Sequence, residues 1–207
     1  MTKSKVPKRY SAEPSRLYDF MHECVVYCPK CKSVAIVTIP YFQDYKNSKL
    51  LCTSCHFSEK TKDRIRYRTT FKNKCANCLE SITKIIDGRK NIPSYVNIIC
   101  PACKNTNKIK ENWEAYILKY NETGIIDPAF GLPLWYQEAV KENIIWAFND
   151  QHLTEIKKYV TATLRERTTD KFKMTMVERL PDFIKSAKNR DEVIKAIEKM
   201  EYKISQN

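Results

Sequence analysis

Only three glycines occur in 207 residues, and no GxGxxG or GxxxxGK[ST] pattern is present. Gly-rich loops that cradle phosphates are therefore excluded. Histidine is as scarce: His22, His56 and His152 are scattered, and no Ser/His/Asp order can be assembled from them. No run of 18 apolar residues exists, which excludes a helical membrane span. The first residues, MTKSKVPKRYSAEPSR, are basic and polar without an apolar h-region. They do not read as a secretory signal, and a cytoplasmic location is expected. The adjacent carboxylates Asp191 and Glu192 fall at an expected helix start, where the helix dipole explains them. Taken together, these gaps point away from an enzyme.

Cysteine, in contrast, is abundant. Eight of nine form four CxxC pairs: Cys28/Cys31, Cys52/Cys55, Cys75/Cys78 and Cys100/Cys103, with 20, 19 and 21 residues between successive pairs. A redox motif needs one such pair at a helix start, not four in tandem. A disulfide framework belongs to exported chains, and nothing here directs export. Two CxxC pairs about 15–20 residues apart supply the four thiolates that tetrahedral zinc takes. Two structural zinc ions are expected, and four cysteines per site leave no open position for catalysis. Sequential use groups Cys28, Cys31, Cys52 and Cys55 against Cys75, Cys78, Cys100 and Cys103. Grouping the two middle pairs together has almost the same loop length. Cys24, just before the first pair, reads as a half-buried strand residue, and His56 as a neighbour of the metal site or a surface residue.

The segments between pairs favour sequential use. KSVAIVTIPYFQDYKNSKLL and LESITKIIDGRKNIPSYVNII each read as two β-rich runs around a turn, with Asp87-Gly88 beginning the second turn. HFSEKTKDRIRYRTTFK reads as one long strand; KNTNKIKENWEAYILKY reads as a comparable strand or as a helix from Trp113. Cys28 to Cys75 and Cys31 to Cys78 are each 47 positions, and Cys52 to Cys100 and Cys55 to Cys103 are each 48, an internal repeat. Two knuckles, a hairpin and a third strand, used twice over residues 22 to 120, resemble the zinc ribbons of transcription factors and RNA polymerase subunits. Zinc-ribbon knuckles often carry glycine after the second cysteine. Here Lys32, His56, Leu79 and Lys104 stand there, so strained or differently shaped knuckles are expected.

The formal net charge is +13, and two four-thiolate zinc sites lower it to about +9. Residues 1–123 carry 23 Lys/Arg against 11 Asp/Glu, while residues 124–207 carry 14 against 13. The positive charge belongs to the cysteine-bearing half. On a strand, Arg64, Arg66 and Arg68 share one face, a row suited to phosphates. Lys60, Lys62, Lys72 and Lys74 extend it, and Tyr41, Phe42, Tyr45 and Tyr67 are candidate stacking aromatics. The bland alternative is a solvated edge strand kept from aggregating by its charge.

After the Pro- and Gly-containing stretch NETGIIDPAFGLP, residues 134–207 read as a hairpin joined around Lys141-Glu142-Asn143, followed by helices. Asn149 or Asp150 caps a helix with Leu153, Ile156, Val160 and Leu164 at helical spacing. A further helix is interrupted at Pro181, and a last one starts at Asn189 or Arg190 with Val193, Ile197 and Met200 on one face. Trp135, Trp146 and Phe148 are expected between hairpin and helices. GLPLWYQEAVKENIIWAFNDQHLTEIKKYVTATLRER with RLPDFIKSAKNRDEVIKAIEKM resembles a family of small bacterial proteins that join zinc-ribbon segments to such a module. That resemblance implies a bacterial intracellular origin and no particular activity.

The expected fold is therefore α+β. It comprises a basic flexible tail (1–21), zinc ribbon 1 (22–73), zinc ribbon 2 (74–120), a linker (121–133) and a hairpin-and-helix domain (134–207). The expected function is a zinc-binding accessory protein that holds nucleic acid, DNA or RNA, on its basic ribbon face and meets a protein partner through the C-terminal domain. The alternative is a protein-interaction module, an adaptor or an inhibitor or immunity factor, anchored by Trp113, Tyr116 or Trp135.

Overall fold

The computed structural model describes residues 9–10, 15–41, 44–162, 164–165 and 175–205. The chain divides into two compact units: unit 1 runs to Lys60 and resumes at Tyr120, and unit 2 is the intervening stretch Thr61–Lys119. The architecture is α+β as expected, a β-rich cysteine-bearing region followed by a hairpin and helices.

Unit 1 opens with β1 (Arg9–Tyr10) and a 3-10 turn, Leu17–Phe20, whose Phe20 is buried. Part of the expected flexible tail is thus built into the fold. Four antiparallel strands follow in spatial order: β2 (Glu23–Tyr27), β3 (Val34–Thr38), β4 (Lys49–Cys52) and β5 (Ser58–Lys60). Alternation sets their buried face: Ala35 and Val37 on β3, and Leu50 and Cys52 on β4, point inward.

Unit 2 begins at a 3-10 turn, Thr61–Arg64, that breaks the expected long strand. The break is forced by pairing, since β5 lies against β4 while β6 (Ile65–Lys74) takes other partners. β6 pairs with β7 (Ser81–Arg89); β8 (Val96–Ile99) and β9 (Thr106–Ile109) form a separate hairpin. β10 (Glu114–Ile117) returns along the other side of β6, so the stretch after Trp113 is a strand, not a helix. Cross-strand pairing of Tyr116 with Arg66 overrides the helical leaning of its sequence. Asp87-Gly88 is a bulge inside β7 rather than a turn. Tyr67 faces Arg89 and Thr69 faces Ile86, and Gly88 takes φ +74° in the extra space. The unit's core is small: Phe71, Ile82 and Ile98 around Cys75 and Cys100, with Val96 and Ile109 against them.

Back in unit 1, the stretch 121–133, expected as a linker, is core. Asp127, Ala129, Phe130 and Leu132 are fully buried. Both Asp127 carboxylate oxygens accept: Oδ1 from the Ala129 and Phe130 amides at 2.9 and 2.8 Å, Oδ2 from the Leu132 amide at 2.7 Å. This loop covers the edge of β2, with Tyr27 N–H donating to the Pro133 carbonyl at 3.0 Å and Trp135 N–H to that of Val25 at 2.8 Å.

β11 (Tyr136–Val140) and β12 (Asn143–Ala147) then form the expected hairpin. Helix α1 (Asp150–Thr161) is capped by Asn149, which accepts from the His152 amide at 3.0 Å and donates to the Phe20 and Glu23 carbonyls. Leu153, Ile156 and Val160 are buried, but α1 stops before Leu164, which lies on β13 (Leu164–Arg165), paired in parallel with β1. Helix α2 (Asp182–Lys185) follows Pro181, and α3 (Arg190–Ser205) buries Val193, Ile197 and Met200. Trp135 and Phe148 are buried and Trp146 half-buried, Trp146 meeting Phe148 edge-on at 5.0 Å. One core joins β2–β4, the 129–136 segment, the hairpin and the helices. The first ribbon and the C-terminal module share one compact unit, and the long strand expected after Cys55 is divided, β5 staying in unit 1 and β6 belonging to unit 2.

Candidate metal centres and cation-bearing sheet

Each CxxC sits at the tip of a β-hairpin: Cys28/Cys31 between β2 and β3, Cys52/Cys55 between β4 and β5, Cys75/Cys78 between β6 and β7, and Cys100/Cys103 between β8 and β9. The knuckles share one backbone form. Amides of Cys28, Cys52, Cys75 and Cys100 donate to the carbonyls of Ser33, Phe57, Glu80 and Asn105 at 2.8–2.9 Å. Amides of Lys32, Leu79 and Lys104 donate back to Cys28, Cys75 and Cys100 at 3.0 Å. That closure requires a left-handed residue, and Lys32, His56, Leu79 and Lys104 have φ of 62°, 57°, 62° and 64°. Without glycine the four knuckles still close alike, and the strain is carried by L-residues.

Two clusters result: Cys28, Cys31, Cys52 and Cys55 in unit 1, and Cys75, Cys78, Cys100 and Cys103 in unit 2. Grouping is sequential. Sulfur separations are 3.7 Å for Cys28–Cys55, 3.5 Å for Cys31–Cys52, and 3.7 Å for both Cys75–Cys103 and Cys78–Cys100. Disulfides hold their sulfurs at about 2.0 Å. Tetrahedral sulfurs at a metal–sulfur bond of about 2.3 Å stand about 3.8 Å apart. The donor set and spacing fit a four-thiolate metal ion.

Amides aimed at sulfur prepare these sites for anionic ligands. The Ser33 amide and hydroxyl bring Cys31 down to about 6. Amides of Cys78 and Asn77, with the Asn107 side chain, bring Cys75 down to about 6. Cys55 and Cys78 stand at about 12: the Phe57 and Glu80 amides pull them down, but desolvation and the neighbouring sulfurs leave them holding protons. Binding a cation releases those protons. Asn107 was not evident from sequence. It is buried, donates to Cys75 Sγ at 3.6 Å and to the Ile98 carbonyl, and accepts from the Ala76 amide at 2.9 Å. The available signal was its place two residues before Ile109 on β9, where an inward asparagine demands polar partners.

Cys24 lies in the core of unit 1, its thiol pushed up by burial and by the charge of Asp127, and it belongs to neither cluster. His22 is exposed, with Nδ1 against the Asp19 carbonyl at 2.9 Å. His56 is an exposed knuckle residue. His152 is buried; its Nδ1 accepts from the Phe148 amide at 3.2 Å, and desolvation pulls it down to about 4.

The arginine row is only partly assembled. Arg64 lies in the 3-10 turn, where its Nε donates to the Leu118 carbonyl at 2.6 Å. Arg66 folds back on the carbonyls of Asp63 and Ile65. Arg68 grips Glu114, its cross-strand neighbour, through two bonds of 2.9 and 3.0 Å, and this pair holds Glu114 below the usual carboxylate range. Arg66, Arg68, Lys72 and Lys74 nonetheless share one face of β6, opposite the buried Thr69 and Phe71. Cross-strand from Lys74, Lys72 and Thr70 on that face stand Ser81, Thr83 and Ile85, all exposed. β6 is the central strand of its sheet, not an edge. Lys60 ends β5, Lys62 is in the turn, and half-buried Tyr67 is on the other face. Tyr41 is exposed and Tyr45 packs on the core of unit 1; Phe42 lies outside the described residues. Of the candidate anchors, Trp113 and Tyr116 are half-buried and Trp135 is buried. No helix is long and apolar enough to cross a membrane among the described residues.

Fold and clusters together define a protein with two tandem four-cysteine, zinc-ribbon-like centres and a helical C-terminal module. Its structure has the capacity to coordinate zinc at both. Comparison with known protein families, characterised proteins and solved structures finds no match.

Proposed function

We infer that the chain is a structural-zinc protein that holds nucleic acid without catalysing a reaction, with unit 2 as the contact. Charge segregation carries the reading. Residues 61–119 hold 13 of the 37 Lys/Arg and only 5 of the 24 Asp/Glu. Zinc is the natural occupant of an all-cysteine tetrahedral site, and four thiolates leave it no open position for hydrolysis. In unit 2 the ion supplies the stability that so small a core lacks, on the order of 10–16 kcal/mol in comparable zinc peptides.

The contact face is the exposed side of β6 and β7. Arg66, Arg68, Lys72 and Lys74 neutralise phosphates, while hydroxyls of Thr70, Ser81 and Thr83 are donors to phosphate oxygens. Contacts of this kind go to phosphate and carry no sequence information, so binding is to the backbone and tolerant of sequence. Fluorescence anisotropy with single- and double-stranded DNA and RNA at two salt concentrations tests this. Four neutralised phosphates give a log–log salt slope of roughly −3 to −4. Joint replacement of Arg66, Lys72 and Lys74 by Glu abolishes binding. Absence of binding at low salt, or full binding by the triple variant, ends this reading.

A further inference from the structure

The internal repeat equates β3 with β7, since Cys28 and Cys75 are 47 positions apart and the strands begin at Val34 and Ser81. β3 is paired on both sides, by β2 and by β4; β7 is paired by β6 alone. The counterpart of β4 is β8, which pairs with β9 instead. Ladder parity identifies the groups left over. Cys75 N–H donates to the Glu80 carbonyl at 2.8 Å. Continuing the alternation, Asn73–Ile82 and Phe71–Lys84 exchange hydrogen bonds, and Lys74–Ser81, Lys72–Thr83 and Thr70–Ile85 do not. The N–H and C=O groups of Ser81, Thr83 and Ile85 therefore point away from β6. They form an edge that no strand pairs among the described residues. All three residues are exposed, Ile85 by 70%.

We propose that this edge of β7 receives an extended, acidic segment of a partner protein as an added strand. Charge selects the occupant. Lys84 on β7 itself, Lys72 and Lys74 on the adjoining strand, and Arg89 and Lys90 at its end are all exposed. A second copy would bring together two units each carrying 13 Lys/Arg against 5 Asp/Glu, which repel. Ile85 offers the segment one apolar contact, and the Asp87-Gly88 bulge ends the regular edge, so pairing runs along Ser81–Ile86. The site is a sheet edge, whereas the nucleic-acid reading uses the sheet face; either stands if the other fails.

The test uses the full, metal-loaded chain and a fluorescein-labelled seven-residue peptide alternating Glu with Thr. Controls are the same peptide with Lys for Glu and a version N-methylated along its backbone. The acidic peptide binds, and N-methylation weakens it by about tenfold or more, because main-chain hydrogen bonds hold it. Thr83→Pro has the same effect, since it deletes an outward N–H and leaves the β6 ladder intact. The N-methylated peptide leaves the protein untouched, so the result does not depend on folding of that variant. No binding of the acidic peptide, equal binding of the methylated one, or equal binding of the Lys peptide overturns the proposal. So does sedimentation showing a dimer that Thr83→Pro dissolves.

Discussion

Replacing Leu79 by glycine tightens metal retention at the second cluster. Leu79 sits at φ 62° in its knuckle. A left-handed residue costs an L-amino acid roughly 1–2 kcal/mol that glycine avoids. Glycine's greater freedom in the unfolded chain returns about 0.5–1 kcal/mol of that. The leucine side chain is 69% exposed, so removing it forfeits little burial. The net gain is about 0.5–1 kcal/mol, or roughly two- to fivefold in the chelator concentration that strips half of the metal from this site. A chromophoric chelator titrated against the zinc-loaded chain reads this directly, with Cys78→Ser assigning the second-site phase. Leu79→Val moves the other way, because a branched Cβ tolerates the left-handed region worst. Lys32→Gly gains less, since it also loses the 3.2 Å ion pair with Glu122. Equal retention by the Gly, Val and parent proteins would refute the claim that strain is stored at this position.

Chelation should act unequally on the two units: hydrogen exchange in β6–β10 rises to that of unfolded chain, while α1 and α3, packed in the larger core, stay protected. Asp127→Asn destabilises unit 1 by about 1.5–3 kcal/mol in denaturant titration, because it weakens three charge-assisted bonds in a fully buried loop. His152 has a folded value of about 4 against an ordinary 6.5, so the unfolded chain takes up its proton first as pH falls. The stability it permits is full above about pH 6.5 and is lost progressively towards pH 4, at most about 3 kcal/mol. NMR should show its ring neutral through pH 5, and titration near 6.5 would contradict its burial. Glu114→Gln removes the carboxylate that competes with phosphate for Arg68 and tightens nucleic-acid binding by about two- to fivefold at fixed salt, leaving the slope unchanged.

Cysteine spacing made the clusters legible, because ligand geometry dictates CxxC with little help from the rest of the chain. The hairpin at Lys141-Glu142 and the Val193, Ile197, Met200 stripe were legible for the same reason: turn and helix periodicity are local. What escaped depended on distant partners. Nothing near Thr61 announces that β5 and β6 belong to different sheets, and Thr61 is buried at the break. The Pro and Gly of 121–133 suggest a linker, although Ile125, Phe130 and Leu132 carry the apolar content of a core segment. In the sequence the arginine row stands beside no visible partner, whereas Glu114 and the Leu118 carbonyl, both more than 45 positions away, engage Arg68 and Arg64. The knuckle positions show the converse. Their hydrogen bonds impose a backbone that residue preference alone argued against.

The discontinuity of unit 1 has a consequence for biosynthesis. While the ribosome is still adding Tyr120, unit 2 already has every residue it contains, whereas the larger unit lacks Phe130, Leu134, Ile156 and Ile197, against which its first sheet packs. The inserted unit thus has all of its own residues first and needs only its metal ion to mature. The early strands β2 to β5 meanwhile wait as a half-built layer, joined by their own ladder hydrogen bonds and by whatever ion their four cysteines hold, until the tail of the chain emerges to close over them.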